Sequence, residues 1–175
     1  PTIPFNSSKP KTRTMSTYSR ISRHLSGFKD VGTAFAIFSL INIAIYLSIS
    51  LYPPLLDALK LSSGSPWGIL TSAFTHRDLP HLAGNLEGFV TAAALFVIIC
   101  SVHPANVRRR WSGAFLWLGL ASGILANALD YPVLLANPGT SSWGASGMVY
   151  GALGVLLAAS IQSLPAHLRR MSKER

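Results

Sequence analysis

The chain has 175 residues, of which 49% are hydrophobic and only 12% are charged, whereas a soluble globular domain carries about 25% charged residues. The formal net charge of +9 could suggest a nucleic-acid partner. The basic residues, however, alternate with long apolar stretches and form no continuous basic patch, which argues against nucleic-acid binding. The composition indicates a membrane protein whose surroundings are the lipid bilayer.

Residues 1–30 precede the first long apolar stretch and are polar and basic. A secretory signal is a poor explanation for the stretch that follows, because 30 residues come before it and no small-residue cleavage site comes after it. We therefore expect residues 1–30 to be a flexible basic segment. The first apolar stretch is expected to remain in the mature protein.

Four apolar stretches follow, and each is close to the roughly 20 residues that an α-helix needs to cross a hydrocarbon core about 30 Å thick. They comprise residues 31–52, 81–102, 111–129 and 143–164. We predict an all-α membrane domain with four transmembrane helices over residues 31–164, followed by a basic tail at 165–175. Glu87 is the only acidic residue inside these stretches, and the sequence assigns it no partner.

The basic residues are distributed unevenly between the two sides of the predicted membrane domain. Six precede the first stretch, three lie between the second and the third, and four follow the last, whereas the opposite side receives only Lys60 and Arg77. The positive-inside rule then places both termini in the cytoplasm. The start of the second helix and the start of the fourth helix consequently lie at the same, outer face.

Polar residues occur at both of these helix starts. His81 and Asn85, in the segment HLAGN, are four residues apart, so a helix presents both side chains on one face. They could form part of a catalytic site or simply make hydrogen bonds between helices. His76 precedes His81 by five residues without a third ligand in view, so we predict no metal site, and no motif indicates a cofactor.

Ser146 lies at the start of the fourth stretch, in the segment GASGMVYGALG. Its surroundings also fit helix packing, because a row of glycines lets helices approach closely. The row consists of Gly144, Gly147, Gly151 and Gly154. The segment departs from the G-x-S-x-G turn of soluble hydrolases, since Met148 occupies the position of the last glycine.

The segments TSAFTHRDLPHLAGN and GASGMVYGALG, in this order and on the same side of the membrane, resemble the rhomboid family of intramembrane serine proteases. The resemblance covers residues 31–164, the first four helices of a core that normally has six. It implies that Ser146 is the nucleophile. It also implies that His81 and Asn85, with the backbone N–H of Ser146, form the oxyanion hole.

The same resemblance assigns supporting roles to four further residues. Gly144 and Gly147 match the glycines that flank the nucleophile. Tyr150 matches a tyrosine that packs beside the catalytic histidine, and His76 matches a histidine with a structural or water-organising role. The family requires no cofactor.

The family's general base is a histidine on a sixth helix, and this sequence has no fifth or sixth apolar stretch. His167 follows Ser146 by 21 residues, which separates them by about 30 Å along a helix, so His167 cannot be the base. We expect the chain to be a fragment that lacks the last two helices. The alternative is that His76 or His81 acts as a local base.

Three functions are compatible with these features. The leading hypothesis is a serine endopeptidase that cleaves transmembrane segments of membrane proteins. The alternative is a catalytically dead, rhomboid-like pseudoprotease that binds membrane-protein clients. A small transporter or channel is less well supported, because the polar residues cluster near one face and form no relay across the midplane.

Overall fold

A computed structural model describes residues 26–173 of the chain. Four helices in this range are long and apolar enough to cross a membrane, which confirms the predicted all-α bundle with four transmembrane helices. The chain is an integral, multi-pass membrane protein. Residues 1–25, which make up most of the predicted basic N-terminal segment, lie outside the described residues, as do residues 174 and 175.

The secondary structure consists of long membrane helices joined by short elements. The helices are α1 (Lys29–Leu51), α2 (Pro54–Leu59), α3 (Gly68–Thr71), α4 (Leu79–Cys100), α5 (Ala105–Ala136) and α6 (Ser146–Lys173), and the strands are β1 (Leu61–Ser62) and β2 (Ser141–Ser142). Two 3-10 turns, Ser26–Phe28 and Ser72–Phe74, precede α1 and follow α3. The membrane-crossing helices are α1, α4, α5 and α6.

Two of the membrane helices are longer than the apolar stretches that predicted them. α5 extends beyond both ends of the predicted span 111–129, and α6 continues past residue 164 to Lys173. Apolar composition marks only the part of a helix that lies in hydrocarbon. The helical backbone continues beyond the hydrocarbon into the polar surface of the membrane. In α5, the exposed Arg109 and Arg110 reach water there.

Four phenylalanines form the centre of the core between α1, α4 and α5. Phe38 stacks on Phe89 with ring centroids 4.2 Å apart, and Phe115 lies 5.7 Å from Phe89 and 4.8 Å from Phe96. All four side chains are fully buried. Since aromatic pairs favour such offset and edge-on arrangements, these rings set the relative heights of the three helices.

The glycines of α6 bring this helix into close contact with α5. A Cβ atom at Gly147 would lie 3.0 Å from Ala126 Cβ and 3.1 Å from Gly123 Cα, and one at Gly151 would overlap the side chain of Ser122. Ser122 Oγ donates across this contact to the carbonyl of Gly147 at 3.0 Å. Small residues therefore determine how closely these two helices approach.

Large apolar side chains cover the outside of the bundle as well as its core. Leu40, Ile98, Trp117 and Leu157 are each more than half exposed. In water such a surface would be costly to expose, whereas in lipid it is the expected exterior. The chain thus buries its aromatic and small residues inside and presents aliphatic side chains and tryptophan to the bilayer.

Candidate active site

The candidate site is at the end of the bundle where α4 and α6 begin. A two-stranded sheet connects the loops at this end, pairing Leu61 with Ser142 and Ser62 with Ser141. After β2, the backbone N–H of Gly144 donates to the carbonyl of Ser72 at 2.9 Å. These backbone contacts hold the segment before α6 against the segment before α4, so residues far apart in the sequence meet.

Ser146 is the first residue of α6, and its side chain is exposed. Its hydroxyl makes no hydrogen bond to any side chain or carbonyl within residues 26–173. The first N–H groups of a helix have no partner inside the helix, and the helix dipole places partial positive charge there. Ser146 therefore combines an accessible hydroxyl with backbone donors that favour a developing negative charge.

Gly144 is the point where this segment meets His81. A Cβ atom at Gly144 would lie 2.6 Å from His81 Cε1 and 2.8 Å from His81 Nε2, and the φ angle of +113° also favours glycine. The ring of His81 therefore packs on the backbone two residues before Ser146. The sequence predicted His81 and Ser146 at one membrane face, and the structure brings His81 into contact with Gly144.

His81 is held in place by the start of its own helix. Asp78 caps α4, and its carboxylate accepts a hydrogen bond from the backbone N–H of His81 at 2.8 Å. Such caps typically contribute about 1 kcal/mol. The imidazole of His81 lies 5.0 Å from that of His76, edge to face, so the cap aligns the histidine pair.

His76 is fully buried and is bound to Asn85. The amide Nδ2 of Asn85 donates to His76 Nε2 at 3.0 Å, which assigns the ring proton to Nδ1. The Asn85 amide is thereby oriented by His76, a contact that the four-residue spacing of His81 and Asn85 could not reveal.

Burial lowers the pKa of His76 from its ordinary value of 6.5 to about 4. Proximity to His81 acts in the same direction, while the Phe74 carbonyl and the Asp78 carboxylate partly oppose it. The ring is therefore neutral at neutral pH. A neutral ring fits its role as acceptor from Asn85, since a protonated imidazole has no acceptor.

The remaining predicted site residues divide between the helix interface and the open face of α6. Gly147 packs against α5, as described above, whereas Tyr150 is 72% exposed. Tyr150 makes no hydrogen bond or aromatic ring contact with the described residues. It lies one turn after Ser146 on the same helix face, which continues through the exposed Leu153, Leu157 and Ile161.

Sequence reasoning missed two residues that organise the site, Ser72 and Thr75. Both are fully buried, and the Ser72 carbonyl accepts from the hydroxyl of Thr75 at 3.0 Å as well as from Gly144. Their role depends on a backbone carbonyl and on tertiary contact. No residue-type signal could have marked them.

The described histidines leave the general base of Ser146 unassigned. His76 and His81 lie at the Ser146 end, and neither makes a hydrogen bond to its hydroxyl. His103 lies at the other end of the bundle, where its Nε2 is 2.8 Å from Ser163 Oγ. Residues 26–173 also contain no group of three His, Cys, Asp or Glu that could hold a metal ion.

Comparison with known proteins agrees with the family resemblance of the sequence motifs. The chain matches the Rhomboid domain family over residues 63–173. It is 31% identical over 109 residues to a protein described as rhomboid protease GluP from Bacillus subtilis (strain 168), covering 62% of this chain.

The match extends over only 19% of the length of that relative. No solved structure matches the chain significantly. The matched family region includes α4, α5 and α6, and with them every site residue that the sequence predicted. The resemblance noted in the sequence is thus confirmed, and the chain belongs to the rhomboid family.

Proposed function

We propose that the chain supplies the nucleophile and the oxyanion-binding groups of an intramembrane serine endopeptidase that acts on membrane proteins. The observation that carries the proposal is the contact of His81 with the glycine two residues before Ser146. In this proposal the Ser146 hydroxyl attacks the peptide carbonyl. His81, Asn85 and the backbone N–H of Ser146 donate to the oxyanion that forms, which typically contributes 10²- to 10³-fold in rate per donor.

The proposal gives His76 a positioning role. By accepting from Asn85 it fixes the direction of the amide, so that the remaining Asn85 N–H can point towards the reacting carbonyl. In this proposal the general base is a histidine from a further helix, as the family resemblance implies. The open face of α6 below Ser146, which includes Tyr150, is where such a helix would pack.

A fluorophosphonate probe tests this proposal, because it reacts with serines that a neighbouring base activates. The protein expressed from its complete reading frame is purified in detergent and compared with Ser146→Ala and Ser142→Ala. Labelling that Ser146→Ala abolishes and Ser142→Ala leaves intact supports the proposal. Equal labelling of the unmodified protein and Ser146→Ala contradicts it.

A pseudoprotease that binds membrane-protein clients is the second candidate. The observation that favours it is the lack of a hydrogen bond between Ser146 and any histidine of the described residues. This function predicts no probe labelling, together with crosslinking of a client transmembrane segment that Ser146→Ala does not weaken. Cleavage of that client by the unmodified protein would exclude it.

We also propose that both ends of the chain are cytoplasmic, so that residues 1–30 and 165–175 flank the membrane domain on the inside. The support is the bias of the basic residues. Single cysteines introduced at Ser63 and at Arg109, in a Cys100→Ala background, test it with a membrane-impermeant maleimide in intact cells. Labelling at Ser63 alone is expected, and labelling at Arg109 alone would reverse the orientation.

A further inference from the structure

A second feature of the bundle lies far from Ser146, between the first part of α1 and the last part of α4. It is an open groove of about 590 Å³. Its lining residues are apolar and include Phe28, Gly32 and Phe35 on one side and Val90, Ala94 and Ile98 on the other. The groove opens sideways, towards the position of the bilayer.

The groove is short enough to lie within one leaflet. Phe28 and Phe35 are seven residues apart, about 10 Å along a helix, and one leaflet supplies about 15 Å of hydrocarbon. The apolar lining ends where Glu87 presents an exposed carboxyl group, one helical turn from Val90. A transmembrane helix would need an apolar surface across both leaflets, whereas a single acyl chain needs only one.

Two basic residues adjoin Phe28, which lines one end of this groove. Lys29 is exposed and is one turn before Gly32, on the same helix face. Arg108 is only 7% exposed, and its guanidinium lies 5.7 Å from the ring centroid of Phe28. Lys29 follows Phe28 in the sequence and Arg108 contacts its ring, so both basic residues belong to the Phe28 end of the groove.

Arg108 lacks an anionic partner within residues 26–173. Its Nη1 donates to the carbonyl of His103 at 2.6 Å, and its Nε is buried without a hydrogen-bond partner. The ion pair found in this range joins Lys60 to Asp57 at the opposite end of the bundle. A buried charge without a counter-ion is costly, so the site is complementary to an anion beside an apolar groove.

We propose that this groove binds an anionic phospholipid of the adjoining leaflet. One acyl chain lies between α1 and α4, and the phosphate lies between Lys29 and Arg108. Such a lipid supplies the missing negative charge and covers the exposed apolar walls. The site is separate from Ser146 and does not depend on the proposed protease activity.

Photocrosslinking tests this proposal on the whole protein reconstituted in vesicles. The probes are phosphatidylglycerol and phosphatidylcholine that carry a diazirine in one acyl chain, and mass spectrometry locates the adducts. We expect phosphatidylglycerol to label the groove walls at least about fivefold more than phosphatidylcholine, the factor that one basic residue near anionic lipid contributes. Equal labelling by the two lipids overturns the proposal.

Two pairs of variants separate the groove from the charge. Gly32→Leu fills the groove, since nothing lies within 4 Å of a Cβ atom there, and should abolish the adducts, whereas Ala44→Leu, elsewhere on the exposed surface of α1, should not. Lys29→Gln should remove most of the preference for phosphatidylglycerol, and Arg109→Gln should keep it. Undiminished adducts in Gly32→Leu would overturn the proposal.

Folding and other occupants are checked in the same samples. Ala94→Phe fills the groove from the opposite wall, so loss of the adducts in two variants with unchanged thermal unfolding cannot be ascribed to misfolding. If the probes yield no lipid adducts because protein from a second copy covers these walls, a bifunctional amine-reactive crosslinker added to the same vesicles should yield dimers of the protein. That result would also overturn the proposal.

Discussion

The two ends of the bundle each bring a serine and a histidine together, and they do so in opposite ways. At one end, His103 and Ser163 are joined by a direct hydrogen bond of 2.8 Å, but Ser163 is only 1% exposed. At the other end, Ser146 is exposed and makes no such bond, while His81 packs on the glycine two residues before it. The serine that is hydrogen-bonded to a histidine is therefore the one that a substrate cannot reach.

This contrast shows that a short contact between a serine and a histidine does not make a catalytic site. Ser163 lies inside α6, where the backbone N–H groups are used by the helix and no donor is free to stabilise an oxyanion. Ser146 is the first residue of α6, where the first N–H groups of a helix have no partner inside the helix, and His81 packs on Gly144 two residues before it. Access and preorganised donors distinguish the Ser146 end from the His103 end.

The largest expected effect comes from Gly144→Ala, which disrupts the contact between His81 and the backbone of Gly144. The new methyl group would collide with the His81 ring and is disfavoured at a φ angle of +113°, so Ser146 and His81 must both shift. We expect fluorophosphonate labelling of Ser146 to fall by about 10³-fold, the upper range for a lost oxyanion donor.

Gly139→Ala is the matched control for this substitution. Gly139 has a φ angle of +97°, but nothing lies within 4 Å of a Cβ atom there. The backbone strain is of the same kind, about 1 to 3 kcal/mol, without the collision. Equal loss of labelling in both variants would show that strain, and not the contact with His81, disables the site.

A somewhat smaller effect is expected from Asn85→Ala. It removes one donor from the proposed oxyanion hole, and we expect kcat/KM for a membrane substrate to fall by about 10²-fold. Asn127→Ala is the control, since its amide donates to the Ile69 carbonyl at 3.1 Å and so has a structural role. If Asn127→Ala lowers kcat/KM as much, Asn85 has no special function at the Ser146 end.

The sequence predicted the bundle better than it predicted the site. Apolar stretches and the positions of the basic residues were sufficient for four helices, because a bilayer allows few alternatives to a helix. The same reasoning placed His81 and Ser146 at one face. It underestimated the length of α5, since hydropathy stops at Arg110 while the helix begins at Ala105.

What the sequence could not predict are contacts between distant parts of the chain. The bond from Asn85 to His76 and the bond from Gly144 to the Ser72 carbonyl depend on how α4 and α6 are packed. The glycine row also proved to have several roles. Gly144 contacts His81, Gly147 and Gly151 contact α5, and Gly154 faces open space.

The next effect in size is a pH dependence of the free energy of unfolding that we ascribe to His76, at the Ser146 end. The pKa of His76 is about 4 in the folded protein against 6.5 ordinarily. Between these two pH values His76 is therefore protonated in the unfolded state but neutral in the folded state. The free energy of unfolding should therefore decrease between about pH 6.5 and pH 4, by about 3 kcal/mol in total. Below pH 4 the contribution of His76 is constant.

Thermal unfolding at a series of pH values in detergent measures this dependence. His76→Gln should be less stable at pH 7 but should lose less stability on acidification. His103→Gln, at the other end, should keep the steep dependence of the unmodified protein. An identical pH profile for His76→Gln and the unmodified protein would show that His76 is not responsible.

The smallest effect is expected at the other end, from Ser163→Ala. This substitution breaks the hydrogen bond to His103, and bonds of this kind between membrane helices contribute about 0.6 kcal/mol on average. Ser160→Ala is the control, because the Ser160 hydroxyl donates to the Leu156 carbonyl of its own helix at 2.7 Å. Unfolding should be slightly easier in Ser163→Ala, while fluorophosphonate labelling should not change. A loss of labelling would mean that the two ends of α6 are coupled, and the contrast between a structural and a catalytic serine would no longer hold.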